Sequence, residues 1–373
     1  MFEITYPRHG AVLNHHNGVE TADALTIKVT GVCDVPGTIL VNNQPVIRKG
    51  KDFSIDLPLT AAFNTITAEL TDDFGILTRK ITVLWDKASF LRYDFFIDDN
   101  IFFLTDITKE RPKSLFDHFY LKFLKEMHEK YGTKFTLNLF FRNDHDFCEL
   151  SSFPECYKGE FADNAHWLKM SWHSYSEFPD RPYQNAAPEK VAADYDLIKS
   201  EVCRFAGENS FIPPIAAHWS MIRPDGMEEL VKRGVRVMTS QFINPKTSLS
   251  EKQKSSYLCD IGFFQNLREC LYLEKEQMLY SFDQNLLYLH GMLICNYWTP
   301  GEIRERLAQV KKESLRHEVL SLETHEQYTF PSYFNYIPDH MERMETAIRF
   351  AAEEGYKPVF FAEGLLGNMS WEK

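Results

Sequence analysis

Apolar and polar positions change rhythm near residue 87. Before that point the period is two. Leu25-Thr26-Ile27-Lys28-Val29-Thr30, Phe53-Ser54-Ile55-Asp56-Leu57 and Asn64-Thr65-Ile66-Thr67-Ala68-Glu69-Leu70 alternate, and Ile39-Leu40-Val41 and Thr78–Trp85 add β-branched runs. Asn42-Asn43-Gln44-Pro45 and Asp72-Asp73-Phe74-Gly75 supply turn chemistry between them. Roughly seven short strands with no helical pattern predict a β-sandwich over 1–87. From 88 to 373 strand-like runs alternate with helical ones. Tyr93–Ile97, Phe135–Phe141, Val235–Met238, Glu318–Leu322 and Lys357–Phe361 read as strands. Ser114–Tyr131, Ala187–Ala206, Asp225–Gly234, Thr299–Ser314 and Asp339–Gly355 read as helices, two of them ending in glycine. This alternation predicts an α/β domain whose parallel sheet is closed, or nearly closed, into a barrel. Chemistry in such folds sits at the carboxyl ends of the strands.

Composition narrows the function. With 41 basic and 53 acidic side chains the net charge is −12, and there is no basic arm, which argues against nucleic acid. The first residues lack a basic stretch followed by an apolar one, and no run of about 18 apolar residues occurs, so neither a leader nor a membrane span is expected. Seven cysteines without C-x-x-C spacing suggest neither a disulfide framework nor a zinc ribbon, and a reducing, cytoplasmic setting fits them. Aromatic content is high, with 30 Phe and 17 Tyr. Such a surplus thickens a core or leaves rings in a cleft to stack on sugars. Oligomeric state is not legible.

Four strand ends carry polar, ligand-type side chains. Ile97-Asp98-Asp99-Asn100 places paired carboxylates after an apolar strand, where one can bind a metal and the other act as base. Trp172-His173-Ser174-Tyr175-Ser176-Glu177 spaces an imidazole and a carboxylate four apart, which on a helical turn puts both on one face. Ala216-Ala217-His218-Trp219-Ser220 offers a further ligand or acid beside a ring. Leu322-Glu323-Thr324-His325-Glu326-Gln327-Tyr328 runs a strand into a histidine flanked by carboxylates, as suits a general acid. Zincin, P-loop, dinucleotide and nucleophile-elbow motifs are absent.

Over residues 90–365 the order of these segments resembles the polysaccharide deacetylase family of carbohydrate esterases. Asp98-Asp99 matches its paired aspartates, with Asn100 for the usual Gly. His173-Ser174-Tyr175-Ser176 matches its His-Ser/Thr-x-x-His motif, with Glu177 for the second His. Residues 216–220 stand where the family has an Arg-x-Pro-Tyr-like stretch, without that Arg and Pro. Leu322-Glu323-Thr324-His325, followed by Gly355-Tyr356, matches its Leu-x-x-His motif. The first segment resembles the immunoglobulin-like modules that precede carbohydrate-active domains.

The resemblance implies a distorted (β/α) barrel and a divalent metal, zinc foremost, held by Asp99, His173 and either Glu177 or His218. It makes Asp98 the base and His325 the acid in deacylation of an N- or O-acylated carbohydrate. Trp172, Trp219, Glu326 and Tyr328 are the candidate substrate contacts. Two other readings stand beside it. One is a glycosidase pairing Asp98 with Glu323 or Glu326; the other is a non-catalytic glycan binder, favoured by the missing Arg.

Overall fold

A computed structural model describes residues 1–241, 266–291, 293–312 and 318–372. The chain divides into two compact units. The first comprises Met1–Ser89, Met278–Asp283 and the chain from Asn368 on; the second comprises Phe90–Gln277 and Gln284–Gly367. The sequence reading assigned everything after residue 87 to the second unit. The 278–283 segment and the last residues instead pack with the first.

The first unit is built of two five-stranded sheets. In one, Phe2–Tyr6, Leu25–Cys33, Asp52–Leu59 and Ile47–Lys49 lie side by side, with Gly18–Glu20 also on Leu25–Cys33. In the other the order is Val12–Leu13, Gly75–Trp85, Phe63–Asp72, Thr38–Val41 and Gln44–Pro45. Period two explains the core: Leu25, Ile27 and Val29 point inward from one sheet, and Ile66, Ala68 and Leu70 from the other. The 72–75 turn forms because Asp72 Oδ1 accepts from the amides of Phe74 and Gly75, while Gly75 takes a φ of +134°. Trp85 is fully buried and meets Trp371 edge to face at 5.3 Å, and the Trp371 indole donates to the Trp85 carbonyl at 2.8 Å.

The second unit is mixed α/β. Its main sheet runs Leu168–Ser174, Phe135–Phe140, Arg92–Asn100, Val319–His325, Leu293–Ile294, and Lys357–Pro358 also pairs with the central strand Arg92–Asn100. All of these pairings are parallel. Val237–Ser240 pairs in parallel with Leu286–His290 in a separate small sheet. Among the described residues the strands do not close into a ring. Every residue of the central strand is buried, so it shows no alternation. Its interior Arg92 is satisfied by the carbonyls of Leu366 at 2.7 Å and Phe90 at 3.0 Å.

Several boundaries differ from the sequence reading. The helix expected over Ser114–Tyr131 is a turn at Leu115–Asp117 and then a helix over Phe119–Tyr131, because His118 between them is extended. The helix Phe102–Glu110 was not foreseen. Thr299 and Glu302 cap each other at the start of Pro300–Val310. The end expected at Ser314, like Cys259, lies outside the described residues. No described helix is long and apolar enough to cross a membrane.

Candidate metal centre and its cavity

The carboxyl ends of the main sheet's strands bring distant residues together. Asp98 and Asp99 end the central strand, His173 lies one residue from the end of its strand, and His325 closes the strand beside Asp98. His218 comes from a short turn, His218–Ser220, behind a segment whose Ile215 carbonyl accepts from the Thr239 amide. These residues line one cavity of about 780 Å³ with Glu177, Trp219, Glu323, Gln327, Tyr328 and Tyr333. That is the size of a small-molecule site.

Asp99, His173 and His218 form a buried triad. Asp99 Oδ1 is 3.2 Å from His173 Nε2 and 3.3 Å from His218 Nδ1, and those two nitrogens are 3.3 Å apart. The surroundings decide which atoms carry protons. His218 Nε2 lies 3.0 Å from the Glu177 carbonyl, which can only accept, so Nε2 holds the proton and Nδ1 keeps its lone pair. His173 Nδ1 faces Asp98 Oδ1 at 3.8 Å, which favours the proton there and a lone pair on Nε2. Gln327 Nε2 donates to Asp99 Oδ2 at 2.6 Å and leaves Oδ1 turned to the imidazoles. Three lone-pair atoms thus converge on one point. An ion bound tetrahedrally at about 2.0–2.1 Å sets its ligand atoms roughly 3.3–3.4 Å apart, so the donor set fits a zinc-like cation.

Electrostatics follow the same geometry. Burial opposes charge on Asp99, yet the His173 and His218 imidazoles hold its carboxyl well below the usual carboxylate range. Burial works against a proton on His173, but Asp98 and Asp99 raise its affinity for one above the ordinary imidazole value. Burial, reinforced by the charges of Asp98 and Asp99, pushes Glu323 well above the usual carboxylate range. Backbone strain collects here too: Asp99, Trp219 and Ser220 all adopt left-handed φ, at 62°, 63° and 50°.

Four expectations need correction or relocation. His173 lies on a strand, Leu168–Ser174, not on a helical turn, so the four-residue spacing to Glu177 does not put the two side chains on one helix face. The Glu177 carboxylate turns instead to His145 Nε2 at 2.5 Å and Tyr333 at 3.5 Å, outside the triad; only its backbone carbonyl serves, holding His218. Trp172 is fully buried on the opposite face of that strand, 5.1 Å from the Tyr183 ring, and belongs to the core. Glu326 is also fully buried, with its oxygens accepting from the amides of Ile101, Phe102 and Phe103 at 2.6, 2.8 and 2.7 Å, so it does not reach a ligand. Trp219 and Tyr328 do line the cavity, and Arg181 covers the Trp219 ring at 4.6 Å.

Sequence reasoning missed three neighbours. Asn138 donates to Asp98 Oδ1 at 2.6 Å, Gln327 holds Asp99, and Asn296 lies against His325. Asn138 left a signal, since an amide inside the apolar strand Phe135–Phe140 needs a buried partner. Asn296, in the apolar run Leu293-Ile294-Cys295-Asn296-Tyr297-Trp298, left a similar signal, whereas Gln327 stands among polar neighbours and left none.

No family model matches the chain, and no curated protein matches it. Solved structures with a loosely similar course include a CE4 family pseudoenzyme from Bacillus anthracis, at 10% identity over 79% of this chain and 81% of that one, with a TM-score of 0.35. The carbohydrate deacetylase Agd3 is 8% identical over 91% of this chain and 64% of its own, with a TM-score of 0.41. A polysaccharide deacetylase from Bacillus cereus is 11% identical over 65% of this chain and 88% of its own, with a TM-score of 0.26. Overlaps this loose, one of them with a pseudoenzyme, leave the reading of the site to its own geometry.

Proposed function

We propose that the second unit is a metal-dependent hydrolase that removes an acyl group from an N- or O-acylated carbohydrate. The observation that carries this is the convergence of Asp99 Oδ1, His173 Nε2 and His218 Nδ1 at 3.2–3.3 Å. Three such acceptor atoms face one another only with a proton or a cation between them, and the three together match a metal's ligand spacing. These residues would hold a zinc-like ion, which when bound supplies Lewis-acid polarisation of an acyl oxygen and of water.

The chain's own residues supply the rest. Asp98, oriented by the Asn138 amide, takes a proton from the attacking water. His325 gives a proton to the departing nitrogen or oxygen. Trp219, Tyr328 and Tyr333 form the wall against which a sugar ring stacks. The second unit is read as a distorted (β/α) barrel, and the first as an immunoglobulin-like module.

Glycosidase chemistry is the second reading, because oxygens of Asp98 and Glu323 lie within 4.8 Å of each other. That is near the short separation of retaining enzymes. Burial of Glu326 against the amides of Ile101, Phe102 and Phe103 favours Glu323 over it as that partner.

Metal content and product separate the two. About one zinc-like ion per chain, lost in Asp99→Ala and His173→Ala, with acetate released from N-acetylated oligosaccharides, is the expected result. A metal-free wild type that releases reducing sugar after zinc dialysis would sink the deacylase reading.

A further inference from the structure

His325 has a neighbour at each ring nitrogen. Nε2 faces Glu323 Oε1 across 4.0 Å on the cavity side. Nδ1 lies 3.0 Å from Asn296 Oδ1. Asn296 is itself well fixed. It is buried in the turn Cys295–Tyr297, directly after the strand Leu293–Ile294 that pairs with the His325 strand. Its carbonyl accepts from Arg343 Nη1 at 3.0 Å, and Arg343 is anchored by Asp339 at 2.9 Å. Thr324 donates to the same Asn296 Oδ1 at 3.4 Å. An amide oxygen only accepts, so the atom facing it must be Nδ1–H.

We propose that Asn296 is the positioning residue of His325: it keeps a proton on Nδ1, leaves Nε2 as the working atom, and adds no charge to the ring. This rests on reading His325 as the proton donor. As the bond from acyl carbon to nitrogen breaks, the departing nitrogen takes the proton of Nε2 from the doubly protonated ring. Water supplies the hydroxyl to the acyl carbon and its proton to Asp98. The ring is then neutral, with its remaining proton already on Nδ1. No tautomer exchange precedes the next protonation at Nε2. A carboxylate at position 296 would select the same tautomer but would also favour the charged ring. The charged and titratable groups facing His325 are Asp98 and Asp99 from the central strand, Glu323 on its own strand, Tyr328 beyond it, and His340 from the helix His340–Glu353, whose Arg343 binds the Asn296 carbonyl. Asn296 meets Nδ1 from this shell with an uncharged amide oxygen.

The test is the nitrogen-15 spectrum of His325 in the whole protein, with the ring neutral, for wild type, Asn296→Leu and Asn296→Asp. Wild type and Asn296→Asp should carry the proton on Nδ1, and Asn296→Leu should move it to Nε2. In turnover of an N-acetylated oligosaccharide, Asn296→Leu should lower kcat about tenfold with KM within twofold. Asn296→Asp should restore kcat and shift the alkaline limb of the profile to higher pH. A wild-type proton on Nε2, or a tautomer indifferent to Asn296→Leu, overturns the proposal whether or not acetate is released. The expected tautomers in a protein that cleaves no acyl bond would uphold Asn296 as the orienting group and refute the hydrolase reading instead.

Discussion

Replacing Glu326 with Ala should destabilise the second unit about as much as truncating a large core side chain. The helix Phe102–Glu110 starts at Ile101, whose side chain cannot cap it. Glu326 does that work from far along the sequence, taking the amides of Ile101, Phe102 and Phe103 on its two oxygens while fully buried. Losing one such contact and stranding the donor costs about 1–1.5 kcal/mol, so three cost roughly 3–5 kcal/mol. A water entering the vacated space would recover about 1 kcal/mol of that. The net, about 3 kcal/mol, is a large share of a typical domain's stability. Glu326→Gln keeps one accepting oxygen and should lose about half as much. Urea unfolding gives the midpoint, and hydrogen exchange at the three amides reports the contacts directly. Those amides follow Asp98 and Asp99 closely, and Glu326 follows His325, so the variant should also loosen the spacing between candidate base and acid. An Ala variant within 1 kcal/mol of wild type, with unchanged exchange at 101–103, would refute the reasoning.

Three further expectations concern other parts of the second unit. Burial pushes the Asp94 carboxyl up to about 7, even though it accepts from the Phe361 amide. The folded state therefore holds its proton more tightly than the unfolded chain, and the stability it contributes, complete below about pH 4, is lost as pH rises through 7. Denaturation between pH 5 and 8 should show a decline of about 2–3 kcal/mol that Asp94→Asn flattens; an unchanged slope would contradict it. Gln327→Ala should weaken metal binding about 10- to 100-fold by freeing Asp99 to rotate, measured by competition with a chelator. Trp219→Ala should raise KM for an oligosaccharide several-fold and leave the metal content at the wild-type level; loss of metal would instead make Trp219 a support of His218.

The strand-end rule reached far into the site because the physics behind it is local. A carboxylate or imidazole directly after an apolar run stands out in Phe96-Ile97-Asp98-Asp99 and Leu322-Glu323-Thr324-His325. It failed where local conformation was guessed from spacing alone. His173 and Glu177 would be neighbours on a helix, whereas the strand runs to Ser174 and the chain then bends at 175 and 177, turning the Glu177 side chain away from the triad. Trp172 was misplaced because both faces of its strand are buried, so alternation could not say which residue faced the cavity. Glu326 looked like a site residue since nothing in the sequence announces a cap for a helix more than 200 positions away. Long-range partners such as Asn296 and Gln327 are set by tertiary geometry. The β-rich rhythm of the first 87 residues was plain, but the return of the 278–283 and C-terminal segments to that unit was not.

That return has a practical consequence at Trp85 and Trp371. Two indoles held edge to face at 5.3 Å couple their transitions, so the first unit carries its own near-ultraviolet chiral signature. The partners lie 286 positions apart, so the signal reports that the two segments have met: a product ending at Leu366 would lack it. Monitoring that band while protease trims the chain after Gly367 would separate loss of the clasp from damage to the second unit.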